Sequence, residues 1–179
     1  MKKLLPVSLI LLASTSLANA VEKENEVQAV ESKGYIVGSV GSTAIDDFDK
    51  ATGFEVIGGY NLSEAIALEA SYVDFGSAEF DYDSDVEAEA SALTVGVVGS
   101  IELAPKFTLM AKVGVASWEG ELSDSYWNES IEDDGTDIFY GFGGEYKITE
   151  KVSIGARYTT YDMDGDDVTM TAATIKIAL

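Results

Sequence analysis

The sequence predicts an all-β fold, an eight-stranded antiparallel up-and-down transmembrane β-barrel, on three observations. From Gly34 onward, eight segments alternate apolar with small or polar residues, are rich in Val, Ile, Tyr, Phe and Thr, and are bounded by Gly, Asn, Asp or Ser. The links between them alternate strictly between short and longer. One face of the alternation is continuously apolar, while the other is small-residued and carries about one charge per strand.

In chain order, residues 1–20 (MKKLLPVSLILLASTSLANA) join a basic start at Lys2 and Lys3 to an apolar run through Leu12 and an Ala18-Asn19-Ala20 end. That pattern predicts a cleaved secretory signal, because the apolar run falls short of the ~20 residues of a spanning helix. Residues 21–33 are polar with little turn chemistry and read as a short periplasmic tail. The barrel is assigned to 34–179, with strands at 34–42, 53–62, 66–76, 90–103, 107–118, 138–148, 152–161 and 168–179.

The short links are 63–65, 104–106 and 149–151, and the longer ones 43–52, 77–89, 119–137 and 162–167. In an up-and-down meander this places the short turns and both termini at one end and the longer loops at the other. Bacterial outer-membrane barrels share that asymmetry, with short turns toward the periplasm. Charge follows it, since 21 of the 32 acidic residues fall in the longer links, against a single Lys50. The formal charge of −21 argues against nucleic acid as a partner. With no Cys there is no disulfide framework, so stability must come from strand pairing and packing.

Side chains alternate faces along a strand, so parity can be read directly. One face carries Phe54, Val56, Tyr60, Leu68, Tyr72, Leu93, Val95, Val113, Tyr140, Phe142, Ile175 and Ile177. The opposite face carries Glu55, Glu69, Glu102 and Glu145 with Lys112, Lys147, Arg157 and Lys176, a balanced set. A soluble barrel would turn the apolar face inward and expose a densely charged one. Small residues and opposed charges suit a narrow interior instead, and an isolated carboxylate in lipid would cost many kcal/mol. Glu69 is therefore expected to point into the lumen toward Arg157, Lys112 or Lys176. Strand one leaves its parity unresolved. Asp74 falls on the outward face, which predicts that strand three leaves the membrane there. Tyr60, Phe107 and Tyr146 near the short turns, and Phe54, Tyr72, Phe75, Trp118, Tyr140 and Tyr158 near the loops, are expected as interfacial girdles.

The stretch GYNLSEAIALEASYVDFGS (residues 59–77) resembles the second turn and third strand of the OmpA-like transmembrane domain, a family of small outer-membrane barrels. The resemblance extends over 34–179. It implies a monomeric barrel whose interior is closed by an ion-pair network, a role that would fall to Glu55, Lys112, Glu145 and Arg157. Leu179 departs from the family's terminal aromatic, which the barrel-assembly machinery reads, while Ile175, Ile177 and Leu179 keep the alternation. No segment within 34–179 reads as the peptidoglycan-binding domain of the full-length prototype, so a cell-wall tether is not expected.

The absence of His and Cys excludes Ser-His and Cys-His nucleophile activation and the usual zinc sites, so neither catalysis nor a cofactor is expected. Asp81, Asp83 and Asp85, and Asp162, Asp164 and Asp166, resemble pieces of a calcium loop, but each set lacks required positions and reads as a solvated acidic loop. The expected role is structural, in the outer membrane, with lipid and lipopolysaccharide as partners, the latter bridged by divalent cations. Two alternatives are a surface adhesin that contacts a host or cell-surface ligand through Tyr126, Trp127 and Ile131 of the longest loop, and a narrow ion-conducting pore.

Overall fold

The computed structural model describes residues 33–45, 50–80, 83–124 and 129–179. The signal sequence, nearly all of the 21–33 tail, Asp81, Tyr126 and Trp127 lie outside the described residues. Eight strands, β1 (Gly34–Ile45), β2 (Ala51–Asn61), β3 (Ile66–Phe80), β4 (Asp83–Ala104), β5 (Phe107–Asp124), β6 (Glu129–Lys147), β7 (Val152–Met163) and β8 (Asp166–Ala178), close into one antiparallel barrel. Each pairs with its chain neighbours, and β8 returns to β1 in a ladder running from Tyr35↔Ala178 to Ile45↔Val168.

Closure is completed at the short-turn end, where Leu179 N–H donates to the Gly34 carbonyl and Asn61 N–H to that of Lys33. Two of the three short turns use one device. Ser63 Oγ accepts from the N–H groups of Ala65 and Ile66, and Thr149 Oγ1 accepts from those of Lys151 and Val152. The hydroxyl satisfies turn donors that the ladder cannot reach, so Leu-Ser-Glu-Ala-Ile and Ile-Thr-Glu-Lys-Val are the same local solution written twice.

The strands are longer at the other end than their composition suggests. The expected loops 77–89 and 119–137 are mostly paired backbone: β4 and β5 run in register from Val86↔Asp124, and β5 and β6 reach Asp124↔Glu129. The acidic residues of 77–89 keep a period of two, and a ladder already seeded by the barrel needs no buried face to continue into water. Ile131 belongs to β6, where it pairs with Leu122. β6 meets β7 only from Phe139↔Tyr161 onward, so 129–138 pair with β5 alone.

Strand three continues to pair within the barrel beyond Asp74. A bulge falls between Asp74 and Ser77, with Gly76 at φ 77° donating its N–H to Asp74 Oδ1 at 2.8 Å, and pairing with β4 resumes beyond it. A β-carbon at Gly76 would demand a backbone conformation few L-residues adopt. The last expected loop reduces to a two-residue turn: Asp164 (φ 53°) and Gly165 (φ 95°) sit at its tip, and Gly165 N–H donates to Asp162 Oδ1 at 3.1 Å. Asp-Gly is the sequence such hairpins demand, which accounts for Asp164 in the set that resembles a calcium loop.

The outward face of the closed sheet is a belt of exposed Ile36, Phe54, Val56, Leu68, Tyr72, Leu93, Val95, Val113, Phe142, Tyr158 and Ile175. Exposed large apolar side chains on this scale match no aqueous monomer, and they cover a lipid-facing surface. β1 adopts the parity left open by its sequence: Tyr35, Val37, Ser39 and Thr43 are buried inside while Ile36 and Val40 face out.

Candidate functional site: a filled, charge-balanced lumen

The lumen is filled in layers. Toward the short turns, Tyr35, Val37, Ile57, Ala67, Val98 and Met110 form one buried apolar cluster. Toward the loops, a larger one gathers Val73, Phe75, Trp118, Phe139, Tyr161, Met163, Val168 and Met170. Glu55, Glu69, Lys112, Glu145 and Arg157 are buried in the same interior.

Arg157 on β7 is the centre of one ionic group. Its Nη1 donates to Glu69 Oε2 at 2.9 Å, and its Nη2 to Glu69 Oε1 at 3.1 Å and Glu145 Oε1 at 3.3 Å. Lys176 donates to Glu145 Oε2 at 3.0 Å and lies 4.2 Å from the centre of the Tyr35 ring, whose hydroxyl donates to Glu69 Oε1 at 2.8 Å. The second group is shorter. Lys112 donates to Glu55 Oε1 at 3.3 Å, the same oxygen accepts from Ser71 Oγ at 2.9 Å, and Ser71 shares a 2.6 Å hydrogen bond with Thr94. Each group holds as many cations as carboxylates, the condition under which buried charge can persist beside lipid.

Six of the seven residues read as a lumenal network are thus brought together across β2, β3, β5, β6, β7 and β8. Glu102 is not. It sits exposed beside a register shift near the short-turn end of β4, where the interior has given way to water, and Lys147 is exposed at the same end. Both have inward parity, so their height along the strand, which parity does not encode, decides the outcome.

Phe75 and Trp118 are corrections to the expected girdle, since both are buried inside. Their odd and even positions on β3 and β5 place them with Glu69 and Lys112, and nearness to the loops was the misleading cue. Trp118 Nε1 donates to Asp137 Oδ2 at 2.8 Å, and Phe75 meets Tyr161 edge-on at 4.9 Å between ring centres. The rings fit because glycines face them: Tyr35 lies opposite Gly59, Phe139 opposite Gly114 and Trp118 opposite Gly135. At each glycine an added β-carbon would collide with the ring. The small face read from the sequence is therefore a set of slots for aromatics, and a cross-strand Gly-to-aromatic pairing was the signal available for finding them. Among the described residues, no three acidic side chains converge in a way that could hold a metal ion. Asp164 and Asp166 are exposed at the β7–β8 turn, and Asp83 and Asp85 lie on β4.

A closed antiparallel barrel with an apolar outer belt and neutralised charges inside is a transmembrane β-barrel of the bacterial outer membrane. The family of outer membrane protein β-barrel domains matches residues 7–179, and the chain belongs to it. Among solved structures, Neisserial surface protein A is 9% identical and aligns over 83% of this chain and 98% of its own, at a TM-score of 0.68. The attachment invasion locus protein Ail of Yersinia pestis is 15% identical over 80% of this chain and 96% of its own, at 0.56. The outer membrane enzyme PagL shares the fold at 12% identity and 0.50, covering 81% and 99%. At such identities the likeness concerns the fold alone. Comparison with curated protein sequences gives no match.

Proposed function

We propose that this outer membrane protein is a non-enzymatic, monomeric barrel with a structural role in the envelope. The observation that carries this reading is the filled lumen: ion pairs neutralise one another in an interior that apolar clusters also fill, which leaves no wide aqueous path among the described residues. Catalysis is disfavoured by the lack of any His or Cys to activate a nucleophile or water. Membrane fractionation followed by electrophoresis with and without boiling tests the placement, because a folded barrel resists detergent and changes mobility on heating. Planar-bilayer recording tests the role: no discrete conductance is expected, and steps altered by replacing Glu69 or Arg157 would favour a pore. Lipopolysaccharide is a partner in this reading, bridged by divalent cations to the acidic loop end. Thermal stability in lipopolysaccharide that is unchanged by chelator would count against it.

A second reading is attachment to a host or neighbouring cell. Its support is the four-stranded extension of β3, β4, β5 and β6 at the loop end, where residues 129–138 of β6 have a partner strand on one side only. Deleting 119–137 should then abolish attachment, and unaltered attachment would leave the structural reading.

A further inference from the structure

Five buried polar atoms have no hydrogen-bond partner within the described residues: Ser39 Oγ, Thr43 Oγ1, Arg157 Nε, Tyr161 OH and Thr174 Oγ1. All five lie on β1, β7 and β8, the strands at and beside the closing seam. Three of them occupy neighbouring inward positions at the seam, Ser39 and Thr174 in one row and Arg157 two residues further along β7. Ser39 is directly opposite Thr174 across the seam; Thr174 is opposite Gly155; and Arg157, on the same inward face as Gly155, is opposite Ala172. Gly155 and Ala172 bring almost no side chain into this sector. Ser39, Thr174 and Arg157 are 7%, 6% and 3% exposed.

Directly opposed residues have β-carbons ~4.5–5.5 Å apart, yet the hydroxyls of Ser39 and Thr174 do not bond to each other. Leaving such groups dry costs their full desolvation, whereas a buried water typically makes about three hydrogen bonds to groups of this kind. We propose that Ser39 Oγ, Thr174 Oγ1 and Arg157 Nε–H hold one ordered water molecule, which joins the β1–β8 seam to the Arg157 ionic group. Water fits because the hydroxyls can donate or accept while Nε–H donates. An anion would face Glu69 and Glu145, which already surround Arg157, and Glu55, which lies opposite Ser39 across β1 and β2. A cation would face the guanidinium itself.

Thr174→Val removes the hydroxyl at nearly constant shape, and the two states of the site respond with opposite sign. If Thr174 binds water, the variant strands the water's other partners, and the heat-modifiability midpoint falls by about 2–4 °C. If the hydroxyl is dry, removing an orphaned polar atom raises the midpoint, which overturns the proposal. Ser39→Ala combined with Thr174→Val should cost clearly less than the two single losses added, because one water serves both, and strict additivity would also overturn it. In the unaltered protein in nanodiscs, nuclear magnetic resonance should show long-lived water contacts at Ser39 and Thr174. Their absence, or a bromide titration that shifts the Arg157 Nε–H resonance, would refute an ordered water, the latter in favour of an anion.

Discussion

Glu55 meets a single cation, Lys112, whereas Glu69 and Glu145 share Arg157 and are linked through Glu145 to Lys176. Both groups are neutral and both cross the lumen, but they are built differently. An ammonium is a compact charge that can be placed against one carboxylate, with Ser71 supplying a further donor to the same oxygen. A guanidinium is a planar fork, so one arginine can serve two carboxylates on opposite sides of the barrel. The difference teaches where the interior is vulnerable: losing the lysine removes one hydrogen bond and leaves Glu55 with a hydroxyl partner, while losing the arginine removes three and leaves Glu69 with only the Tyr35 hydroxyl and Glu145 with only Lys176.

Arg157→Met is therefore the most damaging change expected, destabilising the barrel by about 3–5 kcal/mol in urea unfolding in lipid vesicles, because Glu69 and Glu145 would face each other without a guanidinium between them. Lys112→Met should cost about 3 kcal/mol, and adding Glu55→Gln should recover most of it by removing the stranded charge. Equal losses from Arg157→Met and Lys112→Met, or a Glu55→Gln/Lys112→Met double variant no better than the single, would break the contrast drawn between the two groups. Tyr35→Phe deletes a hydroxyl that donates to the charged Glu69, and a loss of about 1.5–3 kcal/mol is expected in the same assay. Lys176 is a quarter exposed at its side chain, so Lys176→Met should change stability by less than about 1 kcal/mol, and a larger loss would show that the end of the chain of charges is as buried as its centre.

The inward position of Glu55, Glu69, Lys112, Glu145, Arg157 and Lys176 was legible from alternation alone. The partners were not. Glu69 had three candidate cations by parity, and the choice of Arg157 follows from strand stagger, which sets the height of each residue around a closed sheet. Tyr35 escaped notice because Ile36 and Val40 outside and Tyr35 and Val37 inside are alike apolar, so β1 offers no contrast between its faces. The extension of β3, β4, β5 and β6 was hidden for the opposite reason: acidic, turn-like composition masks a ladder that neighbouring strands hold in place.

What the chain decided by itself is local and periodic: eight strands, their alternation, the turn hydroxyls at Ser63 and Thr149, and which residues share a face. These follow from backbone geometry and the preference of each side chain for lipid, water or a partner. What only the closed barrel decided is which inward groups meet, which aromatic fills which glycine slot, and where inward parity ends in solvent, as it does at Glu102. Those outcomes depend on register and stagger summed around all eight strands, a quantity that no single segment of the sequence contains.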